Sequence, residues 1–181
     1  MEGCACDVFE NGAEVKFVGG EVTANDVAKS NGVIYNAGSL SFEKTAIHDN
    51  TVKNGAVYND LTGLISLEEI GFHRNTAVHG GAIYNKGTVN FVSGEIYENT
   101  ASGNGGAIYN ASSGEIAAIS NAKFSENTSG DGGAIYNEGT LNLIENTVFN
   151  SNSASQKGGA IYNTGNITIE ENATFSPYAE I

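Results

Sequence analysis

Gly105-Gly106-Ala107-Ile108-Tyr109-Asn110, or GGAIYN, is one of four identical hexapeptides in this chain; the others begin at Gly80, Gly132 and Gly158. Two degenerate copies precede them, NGVIYN at 31–36 and NGAVYN at 54–59. The tyrosines of the six copies fall at positions 35, 58, 84, 109, 136 and 162, so the period is about 25 residues. A period in this range is typical of a solenoid built from stacked supersecondary units.

Two further elements recur in every repeat. Shortly after Tyr-Asn comes a glycine and then an apolar–x–apolar triplet, as in Leu40–Phe42 or Ile116–Ala118. Next comes an apolar residue that is followed three positions later by asparagine. These pairs are Val22/Asn25, Ile47/Asn50, Phe72/Asn75, Ile96/Asn99, Phe124/Asn127 and Phe149/Asn152.

The repeat therefore contains three short apolar segments separated by Gly, Asn, Ser and Asp. Alternation over so few residues is typical of strands, the spacers are turn residues, and no stretch has the periodicity of a helix. We predict an all-β parallel β-helix with about six full coils of about 25 residues and a partial C-terminal coil. It forms a single domain over 1–181, with an N-terminal cap or irregular segment at 1–11, repeats at 12–171 and a C-terminal cap or partial coil at 172–181.

Asparagines at equivalent turns of successive coils are expected to form hydrogen-bonded ladders, because stacked parallel strands place identical side chains above one another. One predicted ladder comprises Asn36, Asn59, Asn85, Asn110, Asn137 and Asn163. The other comprises Asn25, Asn50, Asn75, Asn99, Asn127 and Asn152.

The direction of the side chains in GGAIYN is open to two interpretations, because a shift of one residue reverses every side chain of a strand. We favour isoleucine and asparagine facing inward, since tyrosine tolerates water at its hydroxyl end. The tyrosines then form an outward stripe. Its candidate ligand-binding residues are Tyr58, Tyr84, Tyr109 and Tyr136.

The formal net charge is −13, and Arg74 is the only arginine. This composition argues against nucleic acid and anionic membranes, whose phosphates are bound by Lys and Arg. No hydrophobic run is long enough to insert into a bilayer, and the first 20 residues lack the features of a signal peptide. A mature or excised fragment fits this as well as a cytosolic protein does. Cys4 and Cys6 are expected to be thiols in the cap.

Residues capable of chemistry are few, and we predict no catalytic residue, no cofactor and no metal site. Asp49, Glu98 and Glu126 share one column with Arg74, which is typical of an ion-paired surface. His48 and His73 share another column beside Asp49. Two imidazoles without a third fixed ligand are a weak signal for a metal.

The GGAI motif, followed in each coil by FxxN or a variant of it, resembles the repeat of the chlamydial polymorphic membrane proteins. It also resembles other bacterial and archaeal β-helix surface proteins, the adhesin-like and autotransporter passenger families. FxxN is complete at 72–75, 124–127 and 149–152, whereas the constant Tyr-Asn departs from the chlamydial pattern. The resemblance implies a right-handed β-helix at the cell surface or outside the cell.

The leading hypothesis for function is a non-catalytic adhesin-like module or stalk, because the central coils are nearly identical and catalysis normally requires a departure from the repeat. Its expected partner is a host protein or a glycan. The alternative is a carbohydrate-binding or carbohydrate-active β-helix, lyase-like or glycosidase-like, because aromatic faces stack on sugar rings. A third hypothesis is a structural spacer that packs on other domains or copies.

Overall fold

A computed structural model of the protein describes residues 7–9, 12–170 and 172–175. These residues form only strands and turns, and the chain winds into a parallel β-solenoid of about six turns, as predicted. Cys4 and Cys6, together with most of the two predicted caps, lie outside the described residues.

The GGAIYN motif supplies the first sheet, and the apolar triplet supplies the second. The first sheet contains Asp7–Phe9, Ile34–Asn36, Val57–Asn59, Ile83–Asn85, Ile108–Asn110, Ile135–Asn137 and Ile161–Asn163. The second contains Glu14–Val18, Ser39–Glu43, Leu64–Glu68, Thr88–Phe91, Glu115–Ser120, Thr140–Glu145 and Asn166–Ile169. Successive strands of each sheet pair in parallel, one coil apart.

The third sheet carries the apolar residue that precedes the second asparagine of the repeat. It contains Glu21–Thr23, Ala46–His48, Ile70–His73, Gly94–Tyr97, Ala122–Ser125, Val148–Asn150 and Thr174–Phe175. The first sheet thus begins at Asp7, inside the segment assigned to the N-terminal cap, and the third continues into the segment assigned to the C-terminal one.

The expectation of three strands per coil was wrong, because a fourth sheet follows the second asparagine. Most of its strands have only two residues, too few for an alternating pattern to be read. They are Asp26–Val27, Thr51–Val52, Thr76–Ala77, Thr100–Ala101, Thr128–Asp131 and Ser153–Lys157.

The core is a continuous apolar column, and it confirms that isoleucine faces inward. Ile34, Val57, Ile83, Ile108 and Ile135 are all fully buried. Phenylalanines of the second and third sheets fill the same core; Phe124 and Phe149 stack with ring centroids 5.0 Å apart.

One inward residue differs from the prediction. The register of the second sheet shifts after Val89, so that Phe91 lies opposite Ile119. The triplet predicted at Ile116–Ala118 is therefore interrupted by a bulge, and Ile119 takes the buried position that was assigned to Ala118.

Both asparagine ladders are present. In the first, Nδ2 of each asparagine donates to Oδ1 of the asparagine in the next coil, over distances of 2.6 to 2.8 Å from Asn36 to Asn163. In the second, the same bonds are 2.9 to 3.0 Å long from Asn25 to Asn152. The backbone N–H of each donor residue in the second ladder also donates to the same Oδ1, as from Asn75 to Asn99 at 3.0 Å.

The corners of each coil use left-handed backbone. Gly80, Gly105, Gly132 and Gly158 have φ between 61° and 66°, as the Gly-Gly pairs predict. The residue before each second-ladder asparagine is also left-handed although it is not glycine; φ is 56° at Asp49, 53° at Arg74 and 55° at Glu98.

Candidate functional site

The tyrosines of the repeat form a continuous stack along the first sheet, which we call the tyrosine column: Tyr35, Tyr58, Tyr84, Tyr109, Tyr136 and Tyr162. Their ring centroids are 4.8 to 5.3 Å apart, and the planes of the first four pairs differ by only 8 to 14°. In-register parallel pairing causes this stack, because it places each tyrosine directly over the next.

The stack determines which part of each ring is accessible. Both faces of Tyr58, Tyr84, Tyr109 and Tyr136 are covered by neighbouring rings, so solvent can reach only ring edges and hydroxyl groups. Tyr58 is 6% exposed, whereas Tyr84, Tyr109 and Tyr136 are half-buried. The predicted outward stripe of tyrosines therefore presents ring edges and hydroxyl groups to solvent, and not ring faces.

Charged side chains lie at the hydroxyl ends of the column, and the sequence analysis did not identify them. Each is the residue directly after a ladder asparagine. Tyr35 donates a hydrogen bond to Asp60, and Lys86 Nζ lies over the Tyr58 ring, 5.3 Å from its centroid. The charge of the Glu138 carboxylate acts on Tyr109 and Tyr136. A charged residue directly after Tyr-Asn was the sequence signal that could have identified these side chains.

These surroundings favour the neutral phenol. The hydrogen bond to Asp60, followed by burial, raises the pKa of Tyr35 to about 12. Burial, followed by the nearby Glu138 carboxylate, raises the pKa of Tyr109 well above its ordinary value. Burial also raises the pKa of Tyr84 and of Tyr136.

A second group of side chains lies on the outer face of the third sheet. His48, His73 and Tyr97 occupy one register position and stack, with centroids 4.4 Å apart for the histidine pair and 4.8 Å apart for His73 and Tyr97. His48 Nδ1 is 2.6 Å from Asp49 Oδ2 and 3.1 Å from Thr23 Oγ1.

Arg74 forms an ion pair with Asp49, as expected from their place in one column with Glu98 and Glu126, which we call the acidic column. Its Nε and one terminal nitrogen each donate to a different Asp49 oxygen at 2.8 Å. These bonds, followed by that from His48, hold the pKa of Asp49 far below its usual range. Burial, followed by the charges of His48 and Arg74, lowers the pKa of His73.

The predicted site residues therefore divide into two groups. The ladder asparagines are structural; ten of the twelve predicted, all except Asn25 and Asn163, are buried. The four candidate binding residues, Tyr58, Tyr84, Tyr109 and Tyr136, lie together in the tyrosine column.

The described residues contain no helical segment with the length and apolar character needed to cross a lipid bilayer.

Comparison with known families finds a match to parts of three repeats. Residues 93–111, 121–138 and 146–164 match the Chlamydia polymorphic membrane protein repeat. Each matched segment includes the residues from the third sheet or its preceding corner through a GGAIYN motif. Neither the search of curated proteins nor the search of solved structures found a match. The chain is a β-helix repeat protein that resembles the chlamydial polymorphic membrane proteins.

Proposed function

We propose that this chain is a non-catalytic, adhesin-like segment displayed at the cell surface, where it binds a host protein. The observation that carries this proposal is the regularity of the solenoid. Three coils match a membrane protein repeat, and both ladders continue from coil to coil without a break. A long uniform surface of this kind is suited to presenting a contact area away from the cell.

The proposed contact area is the accessible edge of the tyrosine column at Tyr84, Tyr109 and Tyr136. Tyrosine is enriched in protein interfaces, because its ring is apolar and its hydroxyl group forms hydrogen bonds. Tyr58 is too deeply buried to contact a partner and instead supports Tyr84 by stacking.

The covered ring faces favour a protein partner over a sugar. Sugar rings stack on the face of an aromatic side chain, and those faces are occupied inside the column. A glycan would have to bind through the hydroxyl groups alone. Enzymatic action on carbohydrate would further require two carboxyl groups at a defined separation across a bound sugar. Asp49, one of the carboxylates of the acidic column, is instead paired with Arg74.

The test compares binding of the fluorescently labelled chain to epithelial cells before and after Tyr84, Tyr109 and Tyr136 are all changed to Phe. This variant removes three hydroxyl groups and keeps the stack. We expect binding to fall at least about tenfold, since each of the three lost hydrogen bonds contributes roughly 0.5–1.5 kcal/mol. The matched control changes Ser41, Ser66 and Asn90 to Ala on the outer face of the second sheet.

Equal loss in both variants would mean that the tyrosine edge is not the contact. Binding of the unmodified chain no stronger than that of serum albumin would contradict the adhesin-like function itself. Circular dichroism and melting of all variants exclude loss of fold as the cause.

A further inference from the structure

We propose that His48, Asp49 and His73 form a binding site for a divalent transition-metal ion of the zinc class. One ligand atom from each residue lies within 4.8 Å of the other two. Imidazole nitrogen and carboxylate oxygen are ligands that zinc, copper and nickel accept in proteins. This proposal does not depend on whether the tyrosine column binds a partner.

The solenoid fixes the positions of the three ligands. His48 and His73 are directly paired in adjacent strands of the third sheet, and Asp49 is the left-handed corner residue that follows His48. The repeat itself does not require these side chains. The same register position carries Thr23, Tyr97, Ser125 or Asn150 in other coils.

Nδ1 of His73 provides a second, independent observation. Among the described residues it is one of two buried side-chain polar atoms without a hydrogen-bond partner. Buried polar atoms in folded proteins normally have a partner, and a bound ion or water is a common explanation for an exception. A metal ion would use the nitrogen lone pair.

Two further contacts bear on the site. His48 Nδ1 and Asp49 Oδ2 share a hydrogen bond of 2.6 Å, so the two atoms already face each other and a metal ion would take the place of the shared proton. On the other side of the same ring, Glu21 Oε2 lies 3.6 Å from His48 Nε2. A carboxylate near the second nitrogen orients a ligating imidazole and increases its basicity.

Binding requires two local changes besides the loss of that proton. The imidazole planes are only 10° apart, so the rings must turn toward a shared point to reach bonds of about 2.0–2.1 Å. Arg74, which holds both oxygens of Asp49, competes with the metal for that carboxylate. Removal of Arg74 should therefore strengthen metal binding, an effect that a merely structural cluster would not produce.

The experiment titrates zinc into the full chain by calorimetry after treatment with chelator. We expect one ion per chain, and a loss of affinity of about tenfold or more in His48→Gln and in His73→Gln. The matched control is His79→Gln, because His79 packs against Tyr109 away from the cluster. Arg74→Gln should bind zinc more tightly than the unmodified chain.

Zinc binding that is equally weak in the unmodified chain and in folded His73→Gln would overturn the proposal. So would loss of binding in Arg74→Gln, because that result would make the arginine a support of the site and not its competitor. Nuclear magnetic resonance of the imidazole protons provides a second readout: zinc should broaden or shift the signals of His48 and His73 and leave those of His79 unchanged.

Discussion

At the scale of the residue, one asparagine amide links three coils. Asn110 donates from Nδ2 to Asn137 Oδ1 at 2.7 Å and to the carbonyl oxygens of Thr140 and Gly114 at 3.0 and 3.2 Å. Its Oδ1 accepts from Asn85 at 2.8 Å. Because the side chain is fully buried, water cannot replace these bonds.

Asn110→Ala should therefore lower the free energy of unfolding by about 1–3 kcal/mol, because it leaves buried partners unsatisfied. Urea denaturation measures the change. Asn90→Ala is the matched control, since Asn90 is an exposed asparagine of the second sheet. An equal, small effect of both substitutions would contradict the buried ladder.

The tyrosine column should make the protein sensitive to alkali. The pKa of Tyr35 is raised to about 12, and those of Tyr84 and Tyr136 are raised above their ordinary value of about 10. The unfolded chain thus loses phenolic protons at a lower pH than the folded chain. The contribution of these tyrosines to stability is fully present below about pH 10 and is lost as the pH rises from there through about 12.

We expect phenolate absorbance to appear together with loss of the β-type circular dichroism signal. Most of the tyrosines would instead ionise near pH 10 with the signal retained if the column were open to water. Tyr35→Phe should make the alkaline transition less steep, because it removes one of the titrating groups.

At the scale of the element, the corners decide where each strand begins. Gly80 has a φ of 61°, and a Cβ added there would lie 2.2 Å from the carbonyl oxygen of Ile83. Gly71, by contrast, lies within a strand of the third sheet, and a Cβ there would meet no atom closer than 3.9 Å. The two glycines therefore differ in what they contribute.

Gly80→Ala should destabilise the protein by at least about 2 kcal/mol, because left-handed backbone alone costs alanine roughly 1–2 kcal/mol and the clash adds to it. Gly71→Ala should be neutral or stabilising by up to about 1 kcal/mol, since it restricts the unfolded chain without strain. Thermal melts of the two variants give the comparison. Similar melting temperatures would show that the corner at Gly80 is not left-handed.

Repeated residues were the part of this fold that could be predicted. The ladders and the inward isoleucines follow from periodicity, and the structure confirms both. The fourth sheet could not be predicted, because two residues such as Thr76–Ala77 have no period. Left-handed backbone at Arg74 and Glu98 has no sequence signal either, since neither side chain favours that conformation. The covered tyrosine faces depend on ring orientation, which spacing does not determine.

At the scale of the whole molecule, each coil contacts only its neighbours. The free energy of unfolding should therefore be the sum of one contribution from each coil and one from each interface between adjacent coils. The apolar core and the two ladders hold these interfaces together. We therefore expect no difference in melting temperature between excess chelator and added calcium. A shift of several degrees would mean that a calcium site supports the fold.

The central claim is that this solenoid binds a partner and does not catalyse a reaction. The most direct measurement incubates the chain with epithelial cells and with a glycan array, records binding, and then assays the same glycans for new reducing ends. We predict binding to cells that is lost when the tyrosine hydroxyl groups are removed, with no reducing ends formed. Formation of reducing ends by the chain would contradict this account.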